Sequence, residues 1–315
     1  MYKRLLAILV FVTLVTPGIL FRIIGNTSES AVEMQHDKTN ESKYYIRVLT
    51  SKGIQNLELE TYVASVLLGE MPASFDNEAI KAQAVAARTY ALKRIRTSEK
   101  HENFDLCTDS TCCQAFAELQ SNPSSEKMIT AATATSGEVL LYDGNLIDAT
   151  YFSCSGGYTE AAVEVWGADV PYLQSRKSPG EENAARYQSE VNFSKEEFFR
   201  RLGVQDGSKI GEITYTEGGG VRTISIGDQT FTGVDMRRIL GLSSTAFEVI
   251  QDGNRVLVIS KGYGHRVGMS QYGAEAMAVS GSTYEEILSY YYPGTQRVKL
   301  TDYEMNAIFD KAGNL

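Results

Sequence analysis

The sequence lacks an excess of basic residues. Its 315 residues include 30 Lys and Arg against 39 Asp and Glu, which gives a net charge of −9. Nucleic acids and anionic lipid surfaces are bound through clusters of cations that displace counterions. The composition therefore argues against both as the main partner. Tryptophan is also scarce, with one residue against 18 Tyr and 27 Gly, and a surface with Tyr side chains and Gly-rich loops suits carbohydrate.

Breaks within the chain are missing too. No Pro-rich or low-complexity segment interrupts the sequence after Tyr44, and no internal repeat is visible. Residues 26–43 are polar and mixed in charge, and such a segment cannot bury enough apolar surface to fold. We therefore predict a flexible linker over 26–43 and one large domain, or two closely packed lobes, over 44–315.

A signal-peptide cleavage site is the third absence. The uncharged stretch Leu5–Phe21 follows Lys3 and Arg4, but no small residues of the Ala-x-Ala kind come after it. Its length is at the short end of what crosses a bilayer core about 30 Å thick. The preceding cations predict a cytoplasmic N-terminus. We expect residues 1–25 to carry a single uncleaved transmembrane helix, with the domain outside the cytoplasm; a cleaved signal peptide is the alternative.

Helix and hairpin signals alternate along the domain without regular βαβ spacing. Apolar residues at three- and four-residue spacing over 59–67 predict a helix that ends before Pro72. Asp76 predicts the N-cap of an Ala-rich helix that runs to about Arg96. Asp-Gly turns at 143–144 and 252–253 predict two hairpins, and Ser194 and Ser282 open two capping boxes. The fold class is therefore α+β, with mixed helices and hairpins.

The most distinctive acidic residue is Glu70, in the segment Leu68–Pro72. It stands at a helix end, directly before the Ala-rich helix. Most glycosidases need two carboxylates, one as the acid and one as the nucleophile or base. A single well-placed Glu suffices where the sugar supplies its own nucleophile. Glu70 is therefore our candidate catalytic acid.

Two loops rich in Gly and hydroxyl side chains predict the lining of a polar ligand groove. The first covers 152–160, and the second covers 262–273. Their candidate binding residues are Ser153, Ser155, His265, Ser270, Gln271 and Tyr272. The alternative is that both are tight turns in which hydroxyls cap backbone groups.

A cluster of cysteines predicts a metal site. His101, Cys107, Cys112 and Cys113 bring three of the four cysteines and one of the three histidines into one short segment. This is the ligand set of a closed, structural zinc site, and the long segment from Thr97 to Pro123 needs such a staple. Disulfides, with Cys154 as a fourth partner, are the competing interpretation, and free thiols are the third.

These motifs together resemble the stage II sporulation protein D family. The resemblance is carried by Glu70-Met71-Pro72, by the Ala-rich segment 82–91, by the Ser-Gly-Gly turn, by 231–243 and by 264–274, and it covers residues 44–300. It implies a lytic transglycosylase that cleaves peptidoglycan glycan strands to 1,6-anhydro-MurNAc products during sporulation engulfment, at the mother-cell membrane. Glu70 would be its essential acid, and Arg88 would join Ser270, Gln271 and Tyr272 in the glycan cleft.

The resemblance also implies partners and leaves a rival function open. The partners would be an amidase that removes stem peptides and a small membrane scaffold protein; no cofactor beyond a structural zinc is expected. The rival is a glycan-binding enhancer of a cell-wall amidase, because related proteins act in that way. A structural ion pair is the alternative role for Arg88. Two residues depart from the family pattern, Arg266 where Gly is usual and Phe152 where His is frequent.

Overall fold

The computed structural model of the chain describes residues 44–97 and 101–311, all of which fall in one unit, Ser42–Leu315. The predicted anchor and linker, residues 1–43, lie outside the described residues. Within them, the helices are α1 (Leu59–Glu70), α2 (Asn77–Thr97), α3 (Pro123–Ala134), α4 (Ala162–Trp166), α5 (Lys195–Leu202), α6 (Gly233–Leu240), α7 (Gln271–Val279), α8 (Tyr284–Tyr291) and α9 (Asp302–Lys311).

The strands are short and belong to several small sheets. They are β1 (Tyr45–Thr50), β2 (Gly53–Glu58), β3 (Leu106–Cys107), β4 (Glu138–Tyr142), β5 (Asn145–Leu146), β6 (Tyr151–Phe152), β7 (Gln188–Ser194), β8 (Ile210–Tyr215), β9 (Val221–Ile226), β10 (Gln229–Thr232), β11 (Ala246–Asp252), β12 (Arg255–Lys261), β13 (Met269–Ser270) and β14 (Gln296–Lys299). The predicted α+β class is confirmed.

The larger hydrophobic core is built around α2. This helix packs against α1, α3, α7, α8 and β4. Ala82, Ala84, Ala86 and Ala87 are completely buried along it. Because alanine has no side chain beyond Cβ, neighbouring elements approach the α2 backbone on several sides. The helix begins as predicted, since the Asp76 carboxylate accepts a hydrogen bond of 2.8 Å from the Glu78 N–H.

Three small sheets surround this first core. β1 pairs antiparallel with β2 and parallel with β3, with Leu49 opposite Cys107. β4 lies between β14 and β5. β6 and β13 form a parallel pair in which Tyr151 is opposite Met269. The last pair joins two distant chain segments, and it lies directly before α7.

A second, smaller core is formed by β7–β12 and the helices α5 and α6. One sheet has the order β11-β12-β7 and the other β10-β9-β8. Apolar side chains of both sheets pack against Phe198 and Phe199 of α5 and Met236 of α6, all fully buried. Both helices have hydroxyl N-caps, Ser194 and Thr232. The predicted hairpin at 252–253 is the β11–β12 pair.

Two local predictions differ from the structure. The capping box before α8 is shifted by one residue, because Thr283 and Glu286 form it instead of Ser282 and Glu285. Helix α3 has no counterpart in the sequence analysis, although Asn122 caps it and Pro123 occupies its first position. Its apolar pattern is weak, since Met128 and Ile129 are the only large apolar side chains in it.

The predicted localisation needs correction. It depended on one membrane-spanning helix, and none of the helices within 44–97 and 101–311 is long and apolar enough to cross a bilayer. The stretch Leu5–Phe21, on which the prediction was made, is outside the residues that the structure describes.

Candidate active site

Glu70 is the last residue of α1, and its carboxylate is held by two neutral donors. The Ala115 N–H donates to Oε1 over 3.0 Å, and the Gln271 side-chain amide donates to Oε2 over 3.2 Å. Burial raises the pKa of Glu70, and these two hydrogen bonds oppose the shift without reversing it. The C-terminal end of a helix, where negative charge is disfavoured, adds to the same effect. The carboxyl group is therefore suited to hold a proton.

The backbone donor reaches Glu70 because α1 and the 113–117 segment touch at Gly69. A Cβ at position 69 would lie 2.8 Å from the Phe116 nitrogen, which no real side chain tolerates. The Ala117 N–H also donates to the Ser65 carbonyl over 3.0 Å. The Gly before Glu70 is thus required for the close approach that fixes the carboxylate.

The side-chain donor is positioned by the start of α7. Ser270 is the N-cap, and its hydroxyl accepts a hydrogen bond of 3.2 Å from the Gly273 N–H. Gln271 follows as the first helical residue and extends toward Glu70. Ser270 itself is fully buried, so its role in the free protein is to orient Gln271.

A cavity of about 690 Å³ opens beside Glu70 and Gln271. Its wall combines aromatic rings with polar side chains, as sugar-binding sites do. Besides these two residues, the lining includes Tyr90, Arg94, Cys112, Cys113, Gln114, Asp148, Tyr151, Phe152, Ser153, Trp166, Tyr263 and His265. Of the candidate binding residues, the structure places Ser153, His265 and Gln271 in this wall.

His265 is a neutral member of the wall. Burial, followed by the nearby charge of Arg237, lowers its pKa to about 4. Its Nδ1 accepts a hydrogen bond of 3.1 Å from the Val267 N–H, so Nε2 carries the ring hydrogen. The ring packs between Phe152 and Trp166, with centroid distances of 5.6 and 5.3 Å. His265 can therefore donate a hydrogen bond, but it is not a proton source at neutral pH.

Another part of the cavity lining carries charged pairs. Asp148 is 2.9 Å from the Lys93 ammonium and 3.8 Å from the Arg94 guanidinium. Arg94 lies over the ring of Tyr90, 4.8 Å from its centroid. Asp148 is the second carboxylate in the lining, and two cations face it.

The cysteine cluster lies next to the same cavity. The ligand atoms of His101, Cys107, Cys112 and Cys113 are all within 4.8 Å of one another. The His101 Nε2 is 3.4 Å from the Cys113 sulfur and 3.7 Å from the Cys112 sulfur. A tetrahedral zinc with Zn–S bonds of ~2.3 Å requires separations of about 3.8 Å between ligand atoms. The four side chains therefore fit the ion, and no disulfide involves any of the four cysteines in the structure.

Arg88 is not brought to the cavity. Its side chain is completely buried, and its Nη2 is 2.5 Å from the Glu60 carboxylate. The guanidinium also donates to the carbonyls of Ala132 and Glu138 over 3.0 and 3.1 Å. The planar guanidinium connects α2 to α1, α3 and β4. Arg88 therefore forms a structural ion pair, the alternative to a role in the glycan cleft.

Ser155 and Tyr272 also serve the framework and do not line the cavity. The Ser155 hydroxyl and N–H both donate to Glu181, over 2.9 and 2.6 Å. The ring of Tyr272 packs edge-on against Phe75, with centroids 5.0 Å apart. The loops 152–160 and 262–273 are in contact, since the backbones of Cys154 and Tyr263 form an antiparallel β-bridge. Only some of the polar residues of these loops reach the cavity.

Several lining residues escaped the sequence analysis. Tyr90 belongs to the Ala-rich segment 82–91, which does not show where its side chain points, and the segments that contain Arg94, Gln114, Asp148, Tyr151 and Trp166 have no recognisable motif. Tyr90 and Arg94 are four residues apart on α2 and therefore share one helical face, which is the signal in the sequence that links them. The others depend on contacts between segments far apart in sequence.

Comparisons with known proteins show similarity over most of the chain. Residues 49–142 match the family model described as "SpoIID: Stage II sporulation protein". The chain is 42% identical over 260 residues to Stage II sporulation protein D of Bacillus subtilis (strain 168), covering 78% of this chain and 76% of the relative. It is 37% identical over 259 residues to the protein of the same name in Bacillus amyloliquefaciens, covering 78% and 75%.

The chain belongs to the stage II sporulation protein D family. This confirms the resemblance and the link to sporulation. A further relative, named Amidase enhancer, from Bacillus subtilis (strain 168), is 32% identical over 287 residues, which covers 73% of this chain and 39% of that protein.

The two departures from the usual pattern of stage II sporulation protein D lie outside the polar contacts of Glu70. Arg266 has a φ of 66°, a backbone conformation that glycine adopts without strain. Its buried guanidinium pairs with Glu160 over 3.2 Å and donates to the Gly218 carbonyl over 2.7 Å. Phe152 packs against His265 in the cavity wall. Arg266 therefore supports the loop, while Phe152 replaces a polar ring with an apolar surface.

Proposed function

We propose that this protein is a lytic transglycosylase that cleaves peptidoglycan glycan strands, with Glu70 as the acid and then the base. The observation that carries the proposal is the environment of Glu70: a half-buried carboxyl group at a cavity wall, with two neutral hydrogen-bond donors and a raised pKa. A catalytic acid must hold its proton near neutral pH and release it to the leaving group.

The reaction can be written with one carboxylate. Glu70 donates its proton to the glycosidic oxygen that follows a MurNAc residue, and the C1–O bond breaks. The acetamido group of the same sugar stabilises the positive charge at C1. The C6 oxygen then bonds to C1, and its proton returns to Glu70. The product has a 1,6-anhydro ring, no water is consumed, and the enzyme regains its starting state.

The surroundings of Asp148 support a single-carboxylate mechanism. Hydrolytic glycosidases use a second carboxylate to activate water or to attack the sugar. Asp148 is the other acidic side chain in the lining, and Lys93 and Arg94 hold it as an ion pair. Both cations occupy the oxygens of this carboxylate, which favours the intramolecular C6 hydroxyl as nucleophile.

We also propose that His101, Cys107, Cys112 and Cys113 hold one structural zinc ion. Four protein ligands leave no open coordination position, so the ion would supply folding free energy and no step of the reaction. Its place matters for Glu70, since Cys113 is two residues before Ala115, whose N–H holds the carboxylate. The zinc site would keep the Ala115 N–H in position.

The test of the proposed reaction is the chemistry of the new chain ends. Purified glycan strands are incubated with the purified protein, and the products are examined by mass spectrometry. Ends of 1,6-anhydro-MurNAc, one water lighter than hydrolysis products, are expected. Reducing-end MurNAc at the new ends would show a hydrolase and would contradict the single-carboxylate mechanism.

The second candidate function is enhancement of a cell-wall amidase. It is favoured by the similarity to the protein named Amidase enhancer. A binding protein has no need of a carboxyl group with a raised pKa, so Glu70→Gln separates the two functions. If Glu70→Gln abolishes glycan cleavage, the result supports the enzyme. If the wild type does not cleave glycan, and both the wild type and Glu70→Gln stimulate an added amidase, the result supports the enhancer. The small membrane scaffold partner stays a prediction from the family.

A further inference from the structure

Tyr151 lies in the wall of the cavity that contains Glu70. Its backbone is fixed by the β6–β13 pair, in which Tyr151 is opposite Met269. Two residues after Met269, Gln271 donates its hydrogen bond to Glu70. The same short parallel pair therefore sets the positions of Tyr151 and of one partner of the candidate acid.

The hydroxyl of Tyr151 is an acceptor for Gln114. The Gln114 amide nitrogen is 2.7 Å from the Tyr151 oxygen and 3.3 Å from the Ala87 carbonyl oxygen. A carbonyl can only accept, so the amide nitrogen of Gln114 must face Ala87, and its oxygen must face the other way. That oxygen accepts a hydrogen bond of 3.0 Å from the Tyr62 hydroxyl. Both hydrogens and the oxygen of the buried Gln114 amide are thus in use.

The direction of the Tyr151 hydrogen follows from this arrangement. Because Gln114 donates to the Tyr151 oxygen, the phenolic O–H must donate elsewhere. Within residues 44–97 and 101–311, no hydrogen bond donated by this hydroxyl is found, and the cavity is the space beside it. Burial, and after it the negative charge of Glu70, raises the pKa of Tyr151. The phenol therefore keeps its hydrogen at neutral pH.

We propose that Tyr151 donates this hydrogen to an oxygen of the sugar whose glycosidic bond Glu70 breaks. The proposal rests on the proposed function for the identity of the ligand. An oriented donor fixes the ring beside the acid, and its hydrogen bond strengthens as the sugar becomes polarised. Tyr151 would then be a catalytic residue, while Gln114 is a positioning residue that acts through it.

The experiment measures binding and turnover separately. Affinity for a purified GlcNAc–MurNAc oligosaccharide is measured by calorimetry with Glu70→Gln, which cannot cleave it, and with the same protein carrying Tyr151→Phe in addition. Tyr151→Phe keeps the ring and removes only the hydroxyl. We expect affinity to fall about tenfold, the size of one lost hydrogen bond. With Glu70 restored, Tyr151→Phe should lower turnover by more than this factor.

Tyr62→Phe is the matched control. It removes a hydroxyl from the other end of the same Gln114 amide, and Tyr62 is fully buried and absent from the cavity wall. Binding within about threefold of Glu70→Gln is expected. An equal loss with Tyr62→Phe would mean that the effect passes through Gln114, and it would overturn the proposal. Unchanged binding with Tyr151→Phe, or no oligosaccharide binding by Glu70→Gln, would also overturn it.

A second variant changes the direction of the Tyr151 hydroxyl hydrogen and keeps the hydroxyl group. Gln114→Glu replaces the donor that faces Tyr151 by an acceptor, so the phenolic hydrogen is drawn from the cavity to residue 114. Its expected effect on affinity matches that of Tyr151→Phe, and tight binding would contradict the proposal. The proposed function is judged by a different result, the wild-type product ends. A binding protein without cleavage would disprove the reaction and leave the contact of Tyr151 measurable.

Discussion

The two carboxyl groups that line the cavity, Glu70 and Asp148, have different surroundings. Glu70, at the end of α1, receives hydrogen bonds from a backbone N–H and a side-chain amide, both neutral. Asp148 faces the cations of Lys93 and Arg94. Neutral donors orient a carboxyl group while burial favours its protonated form; cations favour the charged form. One cavity thus contains two carboxyl groups with different neighbours, one held by neutral donors and one paired with cations.

The largest expected effect is the loss of catalysis in Glu70→Gln. The glutamine keeps the shape and one acceptor, but it cannot donate and recover a proton. Turnover on purified strands should fall by at least ~10²–10⁴, the range for a positioned acid–base group. Affinity for the strands should be retained, because the other cavity residues are unchanged. Cleavage at the wild-type rate would remove Glu70 from the mechanism.

The next effect concerns the segment that supplies the Ala115 donor. If the proposed zinc is bound, Cys107→Ser should lower the zinc content and the melting temperature, the latter by at least about 5 °C, since metal binding contributes folding free energy. Metal content is measured by elemental analysis and stability by calorimetry. Cys154→Ser is the matched control, because this buried thiol lies outside the cluster and donates to Glu181. It should keep the zinc.

Metal-free wild-type protein would contradict the zinc proposal. Thiol counting then separates the two remaining states of the cysteines. Absence of titratable thiols would establish disulfides, whereas four titratable thiols would establish free cysteines. In both cases the position of Ala115 would depend on the loop alone.

A smaller effect is a pH-dependent difference in stability between wild type and Glu70→Gln. The pKa of Glu70 is higher in the folded protein than in the unfolded chain, so the folded state binds more protons between the two values. Wild-type stability therefore falls as pH rises through this window, and that of Glu70→Gln does not. The advantage of the variant in calorimetry should grow with pH. A constant difference would mean that folding does not change the pKa of Glu70.

The smallest effect is expected for Asp148→Asn. The substitution removes a half-exposed ion pair, worth about 1 kcal/mol or less, and no proposed catalytic group. Turnover should stay within about threefold of wild type, and the products should be unchanged. A loss of turnover as large as that of Glu70→Gln would make Asp148 a second catalytic carboxylate. The proposed difference in role between Glu70 and Asp148 would then be wrong.

The sequence predicted the elements that depend on local signals. Helix α1 ends before Pro72, Asp76 caps α2, and Gly253 turns the β11–β12 hairpin, since each of these needs only neighbouring residues. Helix α3 was missed, because its cap is strong but its apolar periodicity is weak. Tertiary packing onto α1 and α2 stabilises it.

The candidate site was predicted only in part, for a similar reason. Glu70 and the ligand cluster stand in compact motifs, and the structure brings the four ligand side chains together. Arg88 was expected in the cavity from its motif, but the direction of its side chain depends on Glu60, 28 residues earlier in the chain. Tyr151 and Gln114 carry no local signal at all, because their pairing exists only after α1, α2 and the loop have packed.

The central claim, a reaction in which the sugar's own hydroxyl replaces water, is tested most directly by isotope labelling. Strands whose original ends have been reduced are digested in water enriched in the heavy oxygen isotope, and the new ends are analysed by mass spectrometry. The account predicts anhydro ends without the label. Incorporation of one labelled oxygen at each new end would contradict it, because water would then be the nucleophile.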